Sequence, residues 1–177
     1  MSGGVTYREG LTAGAFGAAA LLLPFLFHML QLGHVFMPMY IPLVALAFYV
    51  SPAVAATTAF LVPFLSSVLT GMPPMYPPIA PIMAIELAFM AGTIALARRR
   101  WPSMPALPVL VAVLIAGRAL HVGLVYVASL AMDLPAEFLA GVSVLTGWPG
   151  LLLMIVVIPI LLRARPPQHG HPEAQTP

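Results

Sequence analysis

The sequence predicts an all-α integral membrane protein of six transmembrane helices, with a short second helix, an interrupted sixth and both termini cytoplasmic. Three observations carry this expectation. Of 177 residues, 61% are hydrophobic and 7% charged, whereas a water-facing domain carries about 25% charged residues. The apolar residues fall into segments approaching the roughly 20 needed to cross a bilayer. All seven basic residues are arginines, and six of them flank those segments in three groups. Arg8 precedes the first, Arg98, Arg99 and Arg100 follow the fourth, and Arg163 and Arg165 follow the last. With six spans all three groups fall on one side, which the positive-inside rule makes cytoplasmic.

In chain order, hydropathy places helices at 11–30, 41–50, 53–69, 82–97 and 107–132, then a final apolar region at 138–162 interrupted at 147–150. Residues 1–10 form a polar N-terminus without the basic-then-apolar-then-small pattern of a cleaved leader, so helix 1 is expected to be retained. Residues 11–163 form one domain, and the Pro-rich polar tail 164–177 is expected to be disordered. Helix 1 carries small residues at four-residue spacing in three registers, Ala13/Gly17, Gly14/Ala18 and Ala15/Ala19. Such faces let two helices approach closely in lipid, within the chain or between chains. Helix 2 is too short to span alone unless residues from 37 onward extend it. The odd-to-even loops, facing outward, are rich in Pro, Gly, Met and aromatics. Thr70-Gly71-Met72-Pro73 before helix 4 is echoed by Thr146-Gly147-Trp148-Pro149 before helix 6, and each would present free N–H groups at a helix start.

The stretch 28–86 is the first candidate for a binding site. It is apolar enough for a membrane but broken by Pro, Gly, His and one carboxylate, and irregular backbone at membrane depth must line a cavity or pack inside protein. Arg118 is the strongest single residue. It lies about 11 residues, or roughly 16 Å, into helix 5, where an arginine needs a partner or a cavity. His121 and Ser129 share its face, with Tyr126 beside them. Glu86 sits about 6 Å below the outer end of helix 4 and Arg118 about 21 Å below that of helix 5. If the helices end level, the two are about 15 Å apart in depth, too far for a direct pair but within reach of a bridging ligand. Ligand contact and structural pairing both remain open for these residues.

Other chemistries find little footing. His28 and His34 lie near Met29, Met37 and Met39, but no pair has the i, i+4 spacing of a helix-borne metal site, so neither metal nor cofactor is expected. With no cysteine, thiolate sites are excluded. No Ser/His/Asp grouping, H-E-x-x-H or phosphate-binding Gly loop is present. The expectation is a binding protein, not an enzyme, with no nucleic-acid partner.

The segments HVFMPMYIPLVALAFYVSP, PFLSSVLTGMPPMYPPIAPIMAIELA and TGWPGLLLMIVVIPILL together resemble the substrate-binding S components of energy-coupling factor (ECF) vitamin transporters. The resemblance runs from about His34 to Leu162, and its most specific block is Thr-Gly-Met-Pro-Pro through Glu86. It implies six helices with cytoplasmic termini in a prokaryotic plasma membrane. It implies a substrate pocket near the outer face, between helices 4 to 6 and the outward loops. It also implies docking of helix 1, through Ala15 and Ala19, on a transmembrane T subunit driven by two ATPases. Where the family carries a His after Pro-Met in the first loop, this chain has Tyr40, and His34 is the imidazole nearest in sequence. The expected substrate contacts are Glu86, Arg118, His121 and His34 as polar anchors, with Tyr76, Tyr126 and Trp148 for stacking. A zwitterionic or heteroaromatic vitamin precursor would suit both charges. A cobalt or nickel S-type subunit is a rival reading, disfavoured because the chain opens Met1-Ser2-Gly3-Gly4 and not Met-His. A membrane scaffold or accessory protein is the other.

Overall fold

A computed structural model describes residues 6–29, 38–133 and 148–163. Those residues form six helices and no strand: α1 (Tyr7–Met29), α2 (Tyr40–Leu46), α3 (Pro52–Thr70), α4 (Ile79–Arg100), α5 (Ala106–Met132) and α6 (Trp148–Arg163). Helices α1, α3, α4 and α5 are long and apolar enough to cross a membrane. The protein is therefore a helical membrane protein. Helix α6, with 16 residues, is apolar but shorter. Helix α2 has seven residues, about 10 Å of rise, and does not cross. Its apolarity has another cause: Tyr40 and Pro42 through Leu46 are all buried inside the bundle. Hydropathy measures removal from water and does not distinguish lipid from protein as the new surroundings.

Three contacts set how the helices run. Helix α1 opens with a capping box. The Thr6 N–H donates to Glu9 Oε2 at 3.3 Å and the Glu9 N–H donates to Thr6 Oγ1 at 3.3 Å, answering donors that a helix start leaves unpaired. The other oxygen, Glu9 Oε1, accepts the Ser51 N–H at 2.6 Å at the start of α3. Further along, a Cβ on Gly17 would sit 3.7 Å from Val62 and 3.8 Å from Thr58, so α1 and α3 lie side by side and parallel. Helix α4 returns against α3, with Gly92 placed so that a Cβ would stand 3.3 Å from the Ala56 Cβ.

One carboxylate thus caps one helix and anchors the start of another. Glu9→Ala should lower stability by about 1–2 kcal/mol, the upper range for a lost cap, and Glu9→Gln by less. The thermal midpoint in detergent checks this.

The connection from α4 to α5 is tight. The Trp101 N–H donates to the Ala97 carbonyl at 2.8 Å and the Met104 N–H to the Trp101 carbonyl at 3.1 Å, while the Arg98 guanidinium donates to the Met104 carbonyl. At the opposite end α3 closes on Gly71, whose φ of 71° is left-handed and so suits glycine. The Ser66 and Thr70 hydroxyls both donate to the Met72 carbonyl, at 2.7 and 3.1 Å, fastening the Thr-Gly-Met-Pro-Pro turn to the end of α3. Helix α6 joins through Leu151, Met154 and Ile158, buried in the same core as Leu43, Leu87, Met90 and Leu110.

With α1 parallel to α3 and α4 antiparallel to it, Arg8 and Arg98–Arg100 lie at one end of the bundle. The 71–78 turn, where Met72, Met75 and Tyr76 are exposed, lies at the other. Helix α4 is central, with half of its span buried against 11% for α1. The polar cluster described next is built on α4.

Candidate functional site

Glu86 is wholly buried on α4, and three side chains from two other helices converge on it. Arg118 Nη2 of α5 lies 3.0 Å from Glu86 Oε1 as an ion pair. His121 Nδ1, one turn further along α5, lies 2.8 Å from Glu86 Oε2. Tyr40, the first residue of α2, donates its hydroxyl to the same oxygen. Its ring also lies under Arg118, whose guanidinium carbon is 5.8 Å from the ring centroid, within cation–π range. Tyr40 is thereby held to both charges of the cluster.

The direct Glu86–Arg118 pair overturns the expected 15 Å separation, and the reason is a ruler started from the wrong end. Counted from the tight 101–105 turn, Glu86 stands about 21 Å from the end of α4, Arg118 about 18 Å from the start of α5 and His121 about 22 Å. The helices are level where the turn joins them. The 27 residues of α5 against 22 of α4 leave the excess at the far end, where the earlier estimate began. Spacing three residues apart then puts Arg118 and His121 on one face of α5, either side of the Glu86 carboxylate.

The electrostatics follow from this geometry. An ion of either sign is costly at this depth, and each is held by the other. A carboxylate accepts from Tyr40 and His121, so His121 carries a proton on Nδ1. That assignment comes from the network. His121 Nε2 is buried and has no hydrogen-bond partner among the described residues. It is a ring nitrogen that a polar group of a bound molecule could meet.

The remaining expected residues lie elsewhere. Ser129 is buried on the same face of α5, but its hydroxyl donates to the Tyr126 carbonyl at 3.2 Å. Tyr76 and Tyr126 are 69% and 56% exposed, whereas the cluster is buried. His34 and the side chain of Trp148 lie outside the described residues, as does the side chain of His28. Ala15 is exposed and Ala19 half-buried, while Gly17 and Ala20 face inward. The three small-residue registers of α1 therefore separate: Gly17 packs against α3, and Gly14, Ala15 and Ala18 are left outward. Among the described residues, no three His, Asp or Glu side chains converge to hold a metal ion. A shallow apolar groove between α3 and α4, lined by Ala56, Thr57, Phe60, Leu61 and Ala88, shares no residue with the cluster.

Sequence reasoning noted Tyr40 only as a replacement for an imidazole and missed its role as third partner of Glu86. The available signal was a lone phenol inside the buried run 39–46, since a buried tyrosine hydroxyl usually finds an acceptor. No family model, curated protein or solved structure matches the chain.

Proposed function

We propose that the chain is the substrate-capture subunit of an ECF-type importer, binding a small vitamin or vitamin precursor at the outer face. Delivery inward would proceed with a transmembrane T subunit and two ATPases, which supply all catalysis. The observation that carries this reading is the polar cluster of Tyr40, Glu86, Arg118 and His121, buried inside a lipid-embedded bundle. Ionisable groups at such depth mark solute pathways and sites by default. The resemblance of the flanking segments to S components supports it, as does the gathering of four arginines at the bundle end opposite the Thr-Gly-Met-Pro-Pro turn. By the positive-inside rule that turn faces outward, in the prokaryotic plasma membrane.

The cluster refines the substrate. Glu86 is occupied by its three partners and acts as a positioning residue. His121 Nε2, buried and without a hydrogen-bond partner among the described residues, is the atom that would meet a polar group of the ligand. One observation favours a second reading, a membrane accessory protein in which the cluster is a structural pin: the Glu86 carboxylate already meets Arg118, His121 and Tyr40 of its own chain.

Native mass spectrometry on protein purified in mild detergent from cells in rich medium separates the two. Capture predicts a bound organic mass of vitamin size, lost in His121→Ala while the fold persists. A bare spectrum together with no thermal shift across a vitamin panel would sink the capture reading. A mass increment of metal size removed by chelator would replace the vitamin with a metal cargo.

A further inference from the structure

The arginine-rich end of α4 is a second chemical feature, independent of the buried cluster. We propose that the α4–α5 turn binds the phosphate headgroup of an anionic phospholipid through Arg99 and Arg100, with Trp101 and Met104 seated at the boundary between headgroups and acyl chains.

Depth is the first support. Helix α4 has 22 residues, about 33 Å of rise, against a hydrocarbon core of about 30 Å. Its last turn therefore emerges at headgroup level. Arg99 and Arg100 are exposed there, and neither takes part in an ion pair among the described residues.

Division of labour within the triplet is the second. Arg98 turns back to the Met104 carbonyl. With the backbone bonds from Trp101 and Met104, this fixes the turn before any ligand arrives. A preformed turn loses less conformational freedom on binding. Arg99 and Arg100 are the two guanidinium groups of the triplet left to face outward, and guanidinium forks match phosphate oxygens bidentately.

The surroundings identify the occupant. Trp101, Met104 and Leu107 are all exposed beside the arginines, so the surface is cationic and apolar at once. Tryptophan at this level is the usual interfacial anchor. A phospholipid brings an anion and a long apolar chain together and meets both halves of that surface. The acid at this end among the described residues, Glu9, is committed to Thr6 and Ser51 and does not compete for the guanidinium groups.

The test uses the full chain carrying Trp148→Phe, which leaves Trp101 as its one tryptophan, since the sequence has two. The protein is reconstituted in phosphatidylcholine vesicles containing a small fraction of bromine-labelled phosphatidylglycerol, or the same fraction of bromine-labelled phosphatidylcholine. Quenching of Trp101 reads local lipid occupancy. The proposal expects phosphatidylglycerol to be preferred by up to about 30-fold for two arginines at the surface. Arg99→Gln with Arg100→Gln should abolish the preference, and Arg99→Lys with Arg100→Lys, which keeps the charge but loses the bidentate fork, should keep only part of it. Should the glutamine variant fail to insert, the parent chain decides alone, because added salt must erode the preference. Equal quenching by the two lipids, a preference unmoved by salt or by the glutamine pair, or displacement by soluble glycerol phosphate at matched concentration would each overturn it.

Discussion

Glu86→Gln is expected to destabilise the bundle by about 3–5 kcal/mol, the cost of leaving one member of a buried ion pair without its counter-charge. Glutamine keeps the size of the side chain and an acceptor for Tyr40 and His121, so cavity formation contributes little. What remains is the Arg118 guanidinium, buried at mid-bilayer depth without a carboxylate. Adding Arg118→Gln should recover at least half of the loss, because the charge that made the single substitution costly is then gone. Chemical or thermal unfolding in detergent, read by circular dichroism for the parent, both single variants and the double, forms the cycle. An additive result would mean that the two charges are screened from each other and that the ion pair contributes nothing.

Gly117→Val is expected to cost about 1–3 kcal/mol, as overpacking does in a filled interior. A Cβ at this position would stand 2.1 Å from Met90 Cε and 2.8 Å from Met90 Cγ, and Met90 is itself wholly buried. The terminal methyl can swing aside, but Cγ is fixed close to the α4 backbone, so the two helices must separate. Gly117 immediately precedes Arg118, and widening the gap there also lengthens the Arg118–Glu86 contact. Met90→Ala should rescue Gly117→Val substantially while being destabilising on its own, a sign reversal that independent sites would not produce. Gly117→Ala should be milder than valine, since it lacks the branched methyl groups.

Much of the architecture was legible because one solvent does most of the selecting. Segments that must satisfy their own backbone in lipid advertise themselves as long apolar runs, and α3, α4 and α5 start and end within a few residues of the hydropathy reading. The arginine groups legibly marked one end of the bundle. Helix α2 was less legible, since burial within protein and burial within lipid select the same residues. At the site, Arg118, Glu86 and His121 stood out because charge and imidazole are rare in such a chain. Their mutual contact was hidden by the choice of origin along the helices. Measuring from the five-residue α4–α5 turn, whose shortness forces the two helices level, would have recovered it from the sequence. Tyr40 was obscured by chain distance: 46 residues separate it from Glu86, and no local pattern couples a phenol on one helix to a carboxylate so far along.

The unequal lengths of α4 and α5 also bear on the membrane around the protein. Helix α5 extends for about 40 Å and its neighbour for about 33 Å, level at one end and staggered at the other. Leu130 and Met132, in the projecting turn, are exposed and must remain out of water. A flat bilayer of about 30 Å cannot match both helices at once. On the α5 side the lipid must thicken, or the whole bundle must lean, by up to about 40° for α5 taken alone. A protein with one long flank and one short flank is a wedge, and a wedge has a preferred thickness and slope of membrane in which to sit.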